Sequence, residues 1–116
     1  MINFVSSSRY RINKKSLKIN SEKIIDNLGV SPDLIINIIF IGKNKMRELA
    51  LSYKKEDVAL PVLSFPYKGE ILDSESILGE IFICYPQVIL LAAERNRRVE
   101  ETILGLIKHG IENLLK

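Results

Sequence analysis

The chain carries one histidine, one cysteine and no tryptophan, and its six glycines and four prolines are scattered rather than clustered. Each scarcity removes a class of function. A lone cysteine, Cys84, leaves no internal disulfide to form and gives no extracellular signature. A lone histidine, His109, cannot by itself build a catalytic metal site, because zinc there keeps about three protein ligands. Any Ser-His or Cys-His nucleophile pair would also have to use His109, and no nucleophile-elbow sequence accompanies it. No Gly-x-Gly-x-x-Gly or Walker pattern is present to cradle a phosphate. Long apolar runs are missing too. Leu34–Ile41, interrupted by Asn37, is strand length and far short of the about 18 residues that cross a bilayer. Met1–Val5 leads into Ser6-Ser7-Ser8 and a basic stretch, without the apolar centre of a secretory signal. A cytoplasmic protein with no membrane partner is the expectation.

What the chain does have is an ordinary globular balance, 47% hydrophobic and 27% charged over 116 residues, enough for one domain with a real core. The charge is uneven. Residues 1–68 hold twelve Lys/Arg against six Asp/Glu, and residues 69–116 hold five against eight. Arg9, Arg11, Lys14, Lys15 and Lys18 form one basic group. Lys43, Lys45, Arg47, Lys54 and Lys55 form a second. Such groups attract phosphate backbones. Taken by charge alone, a solvated lysine-rich surface is the commoner outcome.

Periodicity gives the elements. Ile2–Val5 alternates like a short strand. Lys14–Leu28 carries a helical stripe of Leu17, Ile24, Ile25 and Leu28, with Gly29 where helices stop and Ser31-Pro32 at the turn. Leu34–Ile41 is apolar on both faces, as in a central, doubly covered strand. Lys43–Lys55 reads as a helix with Met46, Leu49, Ala50 and Tyr53 on one side. Val62–Phe65, between Pro61 and Pro66, suits an edge strand. Tyr67–Ser76 reads as a polar loop, and Leu78–Cys84 as a strand stopped by Tyr85-Pro86. Gln87–Glu94 and Val99–Lys116 read as helices divided by Arg95-Asn96-Arg97-Arg98. The order β-α-β-α-β-β-α-α predicts a single α+β domain over 1–116, a mixed sheet of roughly four strands covered by helices.

On a wheel of about 100° per residue, Ile103, Ile107, Gly110, Ile111 and Leu114 form the inward arc of the last helix. His109 lies opposite, beside Thr102, Gly105, Asn113 and Lys116. A histidine on a polar face is usually just solvent-exposed. Asn113, at i+4, stands where the second ligand of a His-x-x-x-His site would be, but an amide is a poor zinc ligand. Glu112 lies further round the wheel. Cys84, at a strand end, suits the role of a small buried residue.

Val62-Leu63-Ser64-Phe65-Pro66, then Leu78-Gly79-Glu80-Ile81-Phe82-Ile83-Cys84, then a helix carrying His109-Gly110, resembles the YbeY family along nearly the whole chain. Those proteins are bacterial rRNA maturation factors, described as single-strand-specific, metal-dependent endoribonucleases. Their pattern runs Tyr-Arg, Thr-Asp or Thr-Asn, Val-Leu-Ser-Phe-Pro, Leu-Gly-Asp-Ile-x-Ile-Cys and His-Gly-x-Leu-His, with a third histidine in a Gly-Tyr-Asp-His turn. The resemblance implies a mixed sheet with helices and a zinc site on the last long helix. Its first zinc histidine falls on His109, with the neighbouring glycine on Gly110. The second falls on Asn113. The third has no counterpart, because the chain stops at Lys116. The family's arginine after tyrosine falls on Lys54 after Tyr53, which keeps the charge but not the planar fork that grips phosphate in two places. The Thr-Asp pair falls on Leu60-Pro61, and the aspartate of Gly-Asp-Ile on Glu80.

A full site of this kind would use a three-histidine metal to activate water. With two of the three histidines missing, zinc is expected to be absent or weakly bound, unless ligands come from another subunit or partner. The expected partner is rRNA or the ribosome, contacted through Lys43, Lys45, Arg47, Lys54 and Lys55. Three readings follow: an rRNA-processing protein with weak or altered nuclease activity, a non-catalytic RNA- or ribosome-binding relative, and an unrelated α/β protein-interaction domain. The groove test discriminates: an inherited site puts His109 in a concavity with Lys54 and Ser64.

Overall fold

A computed structural model describes residues 1–67 and 76–116 of the chain. The elements run β1 (Ile2–Val5), α1 (Lys14–Asn27), β2 (Leu34–Ile41), α2 (Lys43–Lys54), β3 (Val62–Pro66), β4 (Ser76–Cys84), α3 (Tyr85–Glu94) and α4 (Val99–Leu114). The sheet order is β1-β2-β4-β3, with β1, β2 and β4 parallel and β3 antiparallel to β4 at the edge. The expected α+β domain with a mixed four-stranded sheet is what forms. Among the described residues, no helix is long and apolar enough to cross a membrane.

Local signals set the helix ends. The Asn13 side chain caps α1 by accepting from the Ser16 N–H at 3.0 Å. At the other end Gly29 adopts φ +72°, and the Gly29 and Val30 N–H groups close back on the Asp26 and Ile25 carbonyls. Pro86 lies in the first turn of α3, a position that needs no N–H. Tyr85-Pro86 therefore both stops β4 and starts α3, two residues before the expected Gln87. β4 likewise starts two residues early, at Ser76. The polar loop expected over Tyr67–Ser76 falls mostly on residues 68–75, outside the described residues.

Strand alternation builds the core. Ile36, Ile38 and Phe40 on β2 stand in register with Gly79, Ile81 and Ile83 on β4, so their side chains share one face. That face meets Leu17 and Ile25 of α1 and Ile103, Ile107 and Ile111 of α4. A smaller cluster of Met46, Ala50, Ala59, Leu63 and Cys84 joins α2 to the other side. β2 is central as expected, but not covered equally on both faces. Ile35, Asn37, Ile39 and Ile41 are only half-buried, and Asn37 accepts a hydrogen bond from Asn3 at 3.2 Å. A second correction concerns Thr102, which the wheel places on the polar face of α4. It is buried, its hydroxyl donating to the Arg98 carbonyl at 3.0 Å. A wheel sees one helix's own stripe, and α3 covers α4 on a second flank.

Candidate functional site

The inward side of α4 meets the edge of the sheet at β3. Gly110 brings the two together, since a β-carbon there would lie 2.9 Å from the Ile81 side chain and 3.1 Å from the Ser64 hydroxyl. The Ser64 hydroxyl donates to the Gly110 carbonyl at 3.2 Å. His109 and Asn113, one turn apart on α4, therefore look across to β3.

The end of α2 supplies the opposite wall. Lys55 turns left-handed at φ 59°, and the Ala50 carbonyl accepts from both Lys55 and Glu56 N–H groups. That sharp stop delivers Lys54 and Glu56 to the groove that His109 also lines. Lys54, Glu56, Ser64, His109 and Asn113 line one open groove of about 270 Å³. His109 is exposed and Asn113 half-buried, so the imidazole is accessible to a ligand in the groove.

Of the residues singled out from sequence, Lys54, Ser64, His109 and Asn113 come together. The rest of the α2 basic group does not. At about 100° per residue Lys43, Arg47 and Lys54 follow one line of α2, while Lys45 sits on the opposite flank. Arg47 is ion-paired with Asp57 at 3.0 Å, both side chains exposed, an interaction worth little in stability but one that engages the cation. Leu60 lines the groove, whereas Glu80 is exposed on β4 and does not line it. Glu56 is the residue sequence reasoning missed. It follows a helix in a charged stretch, and nothing local marks it as lining a groove with a histidine.

The groove's donors do not fit a catalytic zinc. It offers one imidazole, one amide, one carboxylate and one hydroxyl, and among the described residues no group of three His, Cys, Asp or Glu side chains could hold a metal ion. Cys84, a strand-end candidate, is buried and does not line the groove. Burial pushes its thiol up, opposed by a hydrogen bond from the Gln87 backbone and by the charge of Lys43.

Comparison with known proteins gives this groove a context. The sequence model of the family described as Endoribonuclease YbeY matches residues 3–115. The chain belongs to the YbeY family. Relatives named endoribonuclease YbeY include one from Thermodesulfovibrio yellowstonii, 34% identical over 82 residues that cover 71% of this chain and 52% of the relative. Another, from Aquifex aeolicus, is 30% identical over 111 residues covering 96% of this chain and 73% of the relative. The chain thus spans about half the length of some YbeY relatives it matches and nearly three quarters of others. A solution structure from Thermotoga maritima superposes with a TM-score of 0.66 at 25% identity, covering 100% of this chain and 73% of that one. Within this YbeY fold, the groove beside α4 is lined by His109 and Asn113.

Proposed function

We propose that this YbeY-family protein takes part in rRNA maturation in the cytoplasm by holding single-stranded RNA in the groove between α4, β3 and the end of α2. The observation that carries the reading is the convergence of Lys54, Ser64 and His109 on one concave surface from three separate elements. Lys54 supplies a point charge for a phosphate. The Ser64 hydroxyl is held by its bond to Gly110, and His109 offers an imidazole that donates or accepts. Glu56 sets the groove's charge close to neutral, so binding here rests on shape and hydrogen bonding as well as attraction. Lys43 and Lys55 serve as outer phosphate contacts in this reading, with Arg47 only after its bond to Asp57 opens, while Lys45 on the opposite flank of α2 takes no part.

Metal chemistry in the family would activate water for strand cleavage. Residues 1–116 provide one imidazole for it, so metal-dependent cleavage needs further ligands from outside these residues. A non-catalytic RNA- or ribosome-binding role is the second reading, favoured by the amide of Asn113 at the second ligand position. Titration of labelled oligouridine across salt tests the shared part. Binding that weakens linearly in log salt, and weakens again in Lys54→Gln, is expected. No binding at low salt would remove the RNA reading. Zinc analysis and cleavage assays then separate the two roles: metal-stimulated cutting by the purified chain would overturn the incomplete site.

A further inference from the structure

A second, larger cleft of about 730 Å³ runs along the other side of His109, and Val62 and His109 line both it and the groove. It extends beside Thr102 and Gly105 to the corner between α3 and α4, where Arg95 and Arg97 stand. Neither arginine belongs to the basic group on α2. Both are exposed, and among the described residues their side chains have no hydrogen-bond or ion-pair partner.

Their placement is set by the backbone. α3 ends with Asn96 left-handed at φ 51°, its N–H bonded to the Ala93 carbonyl at 3.2 Å and the Arg97 N–H to the Ala92 carbonyl at 2.9 Å. These paired bonds form a Schellman turn, with asparagine in the place that tolerates left-handed geometry. The two guanidiniums therefore flank a closed, hydrogen-bonded turn rather than a slack loop, which lowers the entropy lost on gripping an anion. Guanidinium forks match phosphate oxygens two at a time. Glu101 lines the same cleft and opposes them.

We propose that the cleft carries the RNA strand onward from the groove, with Arg95 and Arg97 binding backbone phosphates a few nucleotides beyond His109. The inference rests on the RNA reading above and names where the strand goes. From the start of α4 at Val99 to His109 is about 15 Å at about 1.5 Å per residue, a span that a short oligonucleotide in the groove does not bridge. The strand thus passes His109 midway along its path, between Lys54 on one side and the paired arginines on the other.

The test uses labelled oligouridine in two lengths, one that fills only the groove and one that reaches the corner, with the full chain and an Arg95→Gln/Arg97→Gln variant. The variant is expected to bind the long strand roughly tenfold more weakly at low salt, with the log-log salt slope smaller by about 1.4 for two lost contacts, and to bind the short strand as before. Glu101→Gln, which removes a like charge from the same cleft, is expected to tighten the long strand alone by a few-fold. Long-strand affinity and slope unchanged in the double variant, or equal losses at both lengths, would overturn the path while leaving the groove intact. Failure of the unaltered protein to bind either strand would instead sink the RNA reading and this inference with it.

Discussion

The Ser64 hydroxyl on the edge strand donates to the Gly110 carbonyl on α4 at 3.2 Å, directly beneath the turn that presents His109. This contact exists only because residue 110 has no side chain. A β-carbon would meet Ile81 at 2.9 Å and the Ser64 oxygen at 3.1 Å. Gly110→Ala gains about 1 kcal/mol of helix propensity but overpacks a buried contact, which costs about 1–3 kcal/mol. Net destabilisation in urea unfolding is expected, together with weaker RNA binding as α4 lifts from β3. An unchanged or raised urea midpoint would show that α4 is not held at this point.

Gly105, on the same helix, has open space where a β-carbon would go. Gly105→Ala should therefore stabilise the fold by about 0.5–1 kcal/mol, by reducing the freedom of the unfolded chain and improving helix propensity. The two glycine variants form a matched pair: one helix, opposite signs. A melting temperature that falls in Gly105→Ala would contradict the open environment.

Asn113→His would place a second imidazole one turn from His109, with the Glu56 carboxylate lining the same groove. Zinc is expected to raise the melting temperature of that variant more than that of the unaltered chain, since a ligand that binds only the folded state stabilises it by mass action. Equal zinc responses would mean that the α4 face does not project both side chains to a common point.

Cys84 provides a pH signature. Burial raises its folded value above that of the unfolded thiol. Below the unfolded value of about 8.5 both states keep the proton and the group is silent. As pH rises past it, the unfolded chain ionises first, so stability falls until the folded thiol ionises as well. Cys84→Ala is expected to flatten this alkaline decline, read from urea midpoints between neutral and alkaline pH, and the native thiol should resist disulfide reagents. An alkaline limb identical in the variant would assign the loss to other groups.

Much of the candidate site was legible before any fold existed. His109 and Asn113 fall on one face of a helix because they are four residues apart, and Val62–Phe65, between Pro61 and Pro66, reads as an edge strand because proline cannot donate to a ladder. The match to the YbeY pattern then tied Lys54 and Ser64 to that helix. Glu56 had no such marker, and the α2 cations looked like one patch because they are close in sequence. Winding the helix separated Lys45 from Lys54, and the pairing with Asp57 engaged Arg47.

The sequence by itself determined the elements and their faces: the start of α1 at Lys14, its stop at Gly29, the inward stripe of α4 and the apolar run of β2. These are local matters, settled by a turn of helix or a pleat of strand. Tertiary structure alone decided the order β1-β2-β4-β3, the burial of Thr102 and the junction of two clefts at His109. Each of these depends on which surfaces meet across long chain separations, and periodicity within one element carries no record of its neighbour.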